Sequence, residues 1–140
     1  AAITPDRAEQ LQLAPMTALN TALHGTRFTV SIDATKGTTS GESAHDRAIT
    51  LRALADPDAS PGDFARPGHI FPIAAHPGGL STRQGHTEAA VELASRAGVP
   101  PAAAICPVLD DDGYMARRAE LQILARRMAL PMLHVAQLYS

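Results

Sequence analysis

The sequence predicts a fold in which α-helices and β-strands alternate, of the α/β or α+β class. Two hydrophobic patterns support this prediction. Apolar residues at every second position of 27–33 indicate a β-strand, whereas those of 89–94 continue a helical pattern. Clusters of proline and glycine separate such segments and predict short elements joined by turns. With 140 residues the chain can form one modest core, and we assign residues 1–140 to a single domain.

Composition and charge argue against several classes of function. The formal net charge is −2 and no block of Lys or Arg occurs, so binding to nucleic acid or to an anionic membrane is not favoured. The single cysteine, Cys106, cannot form an intrachain disulfide, which fits a reducing compartment. No apolar run reaches the roughly 18 residues of a membrane helix, and no signal peptide is visible at Ala1. We therefore expect a soluble, cytoplasmic protein.

The first third of the chain predicts a short helix and one strand. Thr4 is suited to cap a helix whose first residue is Pro5, because proline has no N–H to leave unpaired there. Residues 14–25 show no period and predict a connection. The strand at 27–33 then leads into a polar loop at 34–41 that has glycines near both ends, suited to curl around a ligand or simply to turn.

A second helix is predicted over 43–54. Ser43 is its expected N-cap, and Asp46 takes the place that Glu or Gln usually holds in a capping box. Residues 56–67 contain three prolines and a glycine and predict a loop. The strand predicted at 69–74 contains a proline, which places it at a sheet edge or a bulge.

The stretch 83–97 predicts the helix around which a small-anion site is built. Thr87 is the expected N-cap, and the free backbone N–H groups of a helix start attract anions. Arg83 lies just before this start and can add a charge-assisted hydrogen bond, and His86 offers an imidazole to a metal or a proton. A capped amphipathic helix with one surface histidine explains the same spacing, so the residues alone leave both interpretations open.

The last third predicts two strands and one helix. Residues 98–101 end the preceding helix, and the apolar run at 102–109 indicates a buried strand despite a proline within it. An acidic turn follows at 110–113. Apolar residues at helical spacing predict a helix over 118–128, and 132–135 predicts a short final strand.

Five motifs that occur in order along the chain resemble those of a known enzyme family. They are F-T-V-S-I-D-A at 28–34, G-T-T-S-G-E-S-A-H-D-R-A at 37–48, R-P-G-H-I-F-P at 66–72, R-Q-G-H-T-E-A-A-V-E-L at 83–93 and D-G-Y-M-A-R at 112–117. Their order and spacing resemble 3,4-dihydroxy-2-butanone 4-phosphate synthase, the enzyme that cuts ribulose 5-phosphate in riboflavin biosynthesis. The resemblance covers essentially the whole sequence.

The resemblance implies an α+β fold, a homodimer with active sites near the interface, and the use of Mg²⁺. It also implies roles for the anion-site residues. His86 corresponds to the family's metal ligand, and Arg83 and Thr87 correspond to the residues that hold the substrate phosphate.

The resemblance implies a sugar-binding and catalytic group as well. Asp33 and the loop residues Thr38 and Thr39 correspond to residues that line the sugar site, and His69 corresponds to a histidine near it. We assign Asp33, His69 and His86 as candidate catalytic residues, and the two loop threonines as candidate substrate-binding residues.

Two departures from the family pattern shape the functional hypotheses. Family members carry an N-terminal acidic segment of the kind R-E-N-E-G-D, and nothing similar occurs here, so we expect an N-terminally shortened member. The family's catalytic glutamate follows I-C, where this chain reads Ile105-Cys106-Pro107. The lyase reaction needs a divalent ion and several acids and bases, and one imidazole does not hold Mg²⁺.

Three hypotheses follow from the family pattern and its departures. The main one is an enzyme that has lost the metal-dependent lyase reaction and uses the same pocket for a metal-independent reaction on another small molecule, with no cofactor. The first alternative is a genuine synthase that uses Mg²⁺, with the acidic segment supplied by a separate polypeptide or lying outside residues 1–140. The second alternative is a non-catalytic pseudoenzyme or partner subunit.

Overall fold

The structure is a computed structural model that describes residues 1–139, and its mixture of helices and mixed sheets confirms the α+β class. Within these residues the elements follow one another as β1 (Ala2–Ile3), α1 (Pro5–Gln10), β2 (Ile32–Ala34), α2 (Ala44–Ala55), β3 (Phe64–Ile70), β4 (Ile73–Ala74), α3 (Gly79–Thr82), α4 (His86–Arg96), β5 (Ala102–Ala103) and α5 (Arg118–Arg127). Short 3₁₀ turns at Pro61–Asp63 and Val135–Leu138 complete the set. No helix in the described part of the chain is long and apolar enough to cross a membrane.

The strands form two small sheets. In the first, β1 lies between β4, to which it is parallel, and β5, to which it is antiparallel. In the second, β2 pairs with β3 in antiparallel fashion, and the register shifts between Ile32 and Asp33. The main core lies between these sheets and the first two helices, and it consists of Ile3, Ala8, Leu11, Leu13, Ile32, Leu54, Phe64, Ile70 and Ala74. Aliphatic residues therefore form most of the core, as the scarcity of aromatic residues requires.

The helix predictions are confirmed. The Thr4 side chain accepts a hydrogen bond from the backbone N–H of Arg7 at 3.1 Å, which caps α1 as expected. Ser43 caps α2 in the same way, through the N–H of Asp46 at 3.1 Å. The expected capping box at Ser43 is wrong in one respect, because the Asp46 carboxylate accepts hydrogen bonds from the preceding loop instead.

Several strand and loop predictions are wrong. The strand predicted at 27–33 is reduced to β2, because the N–H groups of Thr29 and Val30 bond to two different segments, at Pro72 and Ala14. The predicted loop at 56–67 ends early, since β3 begins at Phe64. These residues satisfy their backbone groups through distant partners, which alternation in the sequence does not reveal.

The two strand predictions in the C-terminal third fail for a related reason. The strand expected at 102–109 is only β5, because the proline-containing remainder does not join the ladder and is largely exposed. Cys106 is consequently exposed, whereas the apolar run suggested burial. No strand forms at 132–135, where the His134 side chain instead accepts the N–H of Ala136 at 3.2 Å and starts a 3₁₀ turn.

A buried arginine links α1 to the end of α2. Arg7 is 9% exposed, and its guanidinium donates to the carbonyl oxygens of Leu54 at 2.9 Å, Ala53 at 3.4 Å and Asp56. The last carbonyls of a helix have no partner within the helix, and a cation there also interacts favourably with the helix dipole. Arg7 therefore holds α1 to the end of α2 through backbone carbonyls, of which that of Ala53 also accepts the N–H of Asp56.

We predict that Arg7→Ala lowers the free energy of unfolding by about 2–4 kcal/mol, because several buried carbonyls lose a charged donor at once. Urea denaturation measures this change. Arg52→Ala is the control, since Arg52 is an exposed arginine in the last turn of α2, the helix that Arg7 contacts. It should change stability by less than about 0.5 kcal/mol. Equal effects of the two substitutions would contradict the role given to Arg7.

Candidate active site

The pairing of β2 with β3 brings two predicted catalytic residues together. The Asp33 carboxylate lies 2.7 Å from Nδ1 of His69, and its other oxygen accepts the backbone N–H of His69 at 2.9 Å. The aspartate side chain is 14% exposed and the histidine side chain 45% exposed. A carboxylate at Nδ1 favours the tautomer with the proton on that nitrogen, which leaves Nε2 free to accept a proton. The pair therefore has the chemistry of an oriented general base.

Two glycines allow the backbone to approach this pair closely. A Cβ atom on Gly68 would overlap the backbone of Ile32, so only glycine lets β3 pass β2 at this point. A Cβ atom on Gly41 would overlap the Asp33 carboxylate itself, and Gly41 has a φ of +83°. The loop of residues 35–43 therefore lies directly against the candidate catalytic carboxylate.

The two predicted substrate-binding threonines lie in this loop. The Thr38 hydroxyl donates to the carbonyl of Ala34 at 2.5 Å, and the Thr39 hydroxyl donates to Asp46 at 2.8 Å. Both hydroxyl protons are thus used inside the protein, and the oxygens retain only acceptor capacity toward a ligand. The structure places these threonines in the loop after β2, held to Ala34 and Asp46, and their role in binding stays a prediction.

Asp46 organises the loop from the first turn of α2. Its Oδ2 atom accepts the N–H of Thr39 at 3.1 Å, the Thr39 hydroxyl at 2.8 Å and the N–H of Gly41 at 3.0 Å. These hydrogen bonds, that of the Thr39 side chain foremost, lower the pKa of the Asp46 carboxyl below its ordinary value of 3.8, while burial works in the opposite direction. Asp46 is only 2% exposed, so its ionised carboxylate serves to hold the loop against α2 and does not face solvent.

A second cluster forms around the N-terminus of α4. The Arg83 guanidinium donates to the Glu88 carboxylate at 2.7 Å, and the backbone N–H of His76 donates to the other oxygen of that carboxylate at 2.8 Å. The Glu88 side chain is 1% exposed and that of Arg83 is 31% exposed. A Cβ atom on Gly85 would lie 2.5 Å from the guanidinium and 2.6 Å from the carboxylate, so glycine is needed where the ion pair crosses the helix start. The pair fixes the Arg83 side chain while leaving part of its guanidinium accessible.

The expected cap of α4 is wrong. The N-cap is Gly85, which offers no side-chain acceptor, and Thr87 is the second residue of the helix. His86 is exposed, whereas Thr87 is 6% exposed, and its hydroxyl makes no hydrogen bond to another residue of the 1–139 segment. The first N–H groups of α4 therefore have no capping side chain, which leaves them available to an anion together with the Arg83 guanidinium.

The structure describes two clusters of predicted residues. Asp33, His69 and the loop threonines form one, and Arg83, His86 and Thr87 form the other. No hydrogen bond or ion pair between residues 1–139 joins the two clusters. Their assignment to one active site stays a prediction.

The described residues do not assemble a metal site by themselves. His86 is the family's ligand position, but no group of three or more His, Cys, Asp or Glu side chains converges within residues 1–139. Mg²⁺ binds near-octahedral sets of oxygen ligands, usually with carboxylates. The residues present within 1–139 therefore do not fit the ion by themselves.

Sequence reasoning missed two residues that organise the clusters. Glu88 is not among the residues predicted for the site, yet its carboxylate accepts a hydrogen bond from Arg83. Asp46 was assigned to a capping box. Its position three residues after Ser43 was a signal that a carboxylate points toward the helix start, but the partners in the loop follow only from the fold.

Comparison with known proteins now identifies the family. A family model described as 3,4-dihydroxy-2-butanone 4-phosphate synthase matches residues 1–140. The chain belongs to the 3,4-dihydroxy-2-butanone 4-phosphate synthase family. A Chromobacterium violaceum protein of that name is 53% identical over 136 residues, which are 97% of this chain and 65% of the relative. The riboflavin biosynthesis protein RibBA of Aquifex aeolicus is 52% identical, and the match covers 97% of this chain and 34% of that protein.

Solved structures of this family share the fold. The Candida albicans synthase superposes with a TM-score of 0.90 at 44% identity, covering 98% of this chain and 67% of that chain. A synthase crystallised in complex with two magnesium ions gives a TM-score of 0.86 at 41% identity, covering 96% and 68%. The chain thus spans about two thirds of these family members, and the resemblance inferred from the motifs is confirmed.

We predict that Asp46→Asn is most destabilising at neutral pH. Because folding lowers the pKa of this carboxyl, its stabilising contribution is complete above pH about 4 and is lost as pH falls through the folded-state value. Denaturation curves from pH 7 to pH 3 should therefore show the difference between wild type and variant narrowing. Glu42→Gln removes an exposed carboxylate of the same loop and should change stability at pH 7 by less than about 0.5 kcal/mol. A difference independent of pH would contradict the prediction.

We predict that Arg83→Ala weakens binding of a phosphate-bearing ligand by about 1.5–3 kcal/mol, the range for hydrogen bonds to charged groups. Calorimetry with inorganic phosphate and with ribulose 5-phosphate measures the change. Arg127→Ala, an exposed arginine in the last turn of α5, is the control. Unchanged affinity in the Arg83 variant would exclude the anion site at α4.

Proposed function

We propose that the full-length protein is a 3,4-dihydroxy-2-butanone 4-phosphate synthase that converts ribulose 5-phosphate into the butanone phosphate and formate for riboflavin biosynthesis. The observation that carries this proposal is the family match over residues 1–140. The Chromobacterium violaceum relative that bears the enzyme's name supports it at 53% identity. Because this chain spans 65% of that relative, the proposal concerns the whole protein.

The genuine synthase is preferred over a repurposed enzyme. The comparisons give no support to loss of the lyase reaction, since relatives between 45% and 53% identical carry the name of the synthase. Pro107, which replaces the family's glutamate, is the remaining argument for a changed reaction, and it lies in the exposed segment after β5. The repurposing hypothesis stays a prediction with this one residue in its favour. No observation favours the non-catalytic alternative.

In the proposed site, each of the two clusters contacts a different part of the substrate. Arg83 and the N-terminus of α4 bind the phosphate group, since a fixed guanidinium and free backbone N–H groups complement a dianion. The Asp33–His69 pair acts on the sugar carbons, with Nε2 of His69 accepting a proton from a substrate hydroxyl or from a carbon next to the carbonyl. The loop of residues 35–43 lies against the Asp33 carboxylate at Gly41.

Magnesium is proposed for the full-length protein only. A synthase of similar structure is described in complex with two magnesium ions. This similarity favours a magnesium requirement in the full-length form of the present protein. The expectation that no cofactor is needed stays a prediction of the sequence.

Homodimer formation and a cytoplasmic location stay predictions too. The exposed apolar side chains of the C-terminal segment, such as Ile123 at 62% and Tyr114 at 74% exposure, are consistent with further association.

An assay of formate release tests the proposal. We predict that the full-length protein releases formate from ribulose 5-phosphate when Mg²⁺ is present, and NMR measures the product. Asp33→Asn should lower the rate roughly 10²- to 10⁴-fold, the range for loss of one acid–base group. Asp58→Asn, at an exposed aspartate of the α2–β3 connection, should retain the wild-type rate. Absence of formate from the magnesium-loaded wild type would refute the proposed function.

A further inference from the structure

Two polar side chains of α2 are buried although nothing in the proposed chemistry uses them. Asp46 is 2% exposed and Thr50 is 0% exposed, one helical turn apart. Helix surfaces that pack on a core normally present apolar residues, and burying a carboxylate and a hydroxyl costs free energy unless each is fully hydrogen-bonded. The hydrogen-bond partners of the two side chains therefore identify the segment that this face of α2 holds in place.

Both side chains fix the chain on the C-terminal side of Asp33. The Thr50 hydroxyl accepts the backbone N–H of Ala34 at 2.9 Å and donates to the Asp46 carbonyl at 3.1 Å. The Asp46 carboxylate fixes the loop five residues further on, through Thr39 and Gly41. The end of β2 and the loop that follows it are thus attached to one helix at two points.

The second attachment point determines where the loop meets the candidate catalytic carboxylate. Gly41, whose N–H donates to Asp46, is also the residue whose Cβ would overlap the Asp33 side chain. Any displacement of Gly41 therefore changes the space around that carboxylate directly. Asp46 is an anion in the first turn of α2, where the helix dipole favours negative charge, so the attachment is both charged and buried.

We propose that Asp46 and Thr50 are positioning residues of the active site, which hold the loop of residues 35–43 and the Asp33 carboxylate in the geometry that the reaction needs. The expected effect on the reaction rate rests on the proposed function. The placement of the loop and of Asp33 rests on the hydrogen bonds described above. Misplacement of a catalytic group by about 1 Å costs up to roughly 100-fold in rate, so a positioning role predicts a large effect without any contact to substrate.

Three variants of the full-length protein and one control test this proposal. Asp46→Asn and Thr50→Val each remove one attachment, whereas Thr50→Ser keeps the hydroxyl and should rescue the function lost in Thr50→Val. Glu42→Gln removes a negative charge from the same loop without breaking a side-chain hydrogen bond of the described chain. We expect kcat for formate release to fall roughly 10- to 100-fold in the first two variants. KM should change less than about threefold, because the phosphate is bound at α4.

Nuclear magnetic resonance gives a readout that does not depend on activity. Amide exchange at Thr39 and Gly41 and the ring ¹⁵N signals of His69 should change in Asp46→Asn and Thr50→Val, and stay as in wild type in Thr50→Ser and Glu42→Gln. Should either disruptive variant fail to fold, the other carries the test, since the two attachments are separate.

The outcomes distinguish this inference from the proposed function. Unchanged His69 signals in both disruptive variants would overturn it, whether or not the protein is active. Altered signals with wild-type kcat would also overturn it, because the geometry would then not matter to the reaction. A wild type that releases no formate refutes the proposed function, and the His69 signals then decide the structural part alone.

Discussion

The antiparallel pairing of β2 with β3 brings Asp33 and His69, which are 36 residues apart in sequence, to within 2.7 Å of each other. This pairing requires β3 to pass β2 at Gly68 so closely that no side chain fits there. The same pairing leaves the Asp33 carboxylate facing the loop that follows β2. The arrangement of the candidate site on this side of the molecule therefore follows from one backbone contact and the glycine that permits it.

Buried charged side chains connect the elements of this fold. Arg7 joins α1 to the end of α2, and Asp46 joins α2 to the loop of residues 35–43. Glu88 joins the start of α4 to Arg83 and to the backbone of His76. Each satisfies backbone or side-chain groups that would otherwise be buried without partners. A core made mainly of aliphatic residues offers no directional contacts, so these hydrogen bonds contribute much of the relative placement of the elements.

Family membership and local chemistry lead to the same interpretation by separate routes. The matched relatives carry the name of the synthase, and the described residues provide an oriented aspartate–histidine pair and a helix start prepared for an anion. A phosphorylated sugar needs both functions, one for its phosphate and one for proton transfer on its carbons. This agreement supports the proposed synthase reaction over a new reaction inferred from Pro107.

Sequence alone determined the local features of this protein. The caps at Thr4 and Ser43, the extent of α5 and the motifs that identify the family depend on neighbouring residues, and the structure bears them out. The α+β class followed from the same short-range patterns together with the family resemblance.

Tertiary structure decided where the strands and the buried charges lie. Of the segment at 102–109 only Ala102–Ala103 pairs with another strand, β1, and no strand forms at 132–135. A strand exists only where another segment satisfies its backbone. The partners of Asp46 and Glu88 were likewise invisible in the sequence, because a carboxylate does not indicate which distant N–H group it will accept. Hydrogen bonding between remote residues is a property of the folded chain, and it is what places the candidate catalytic residues together.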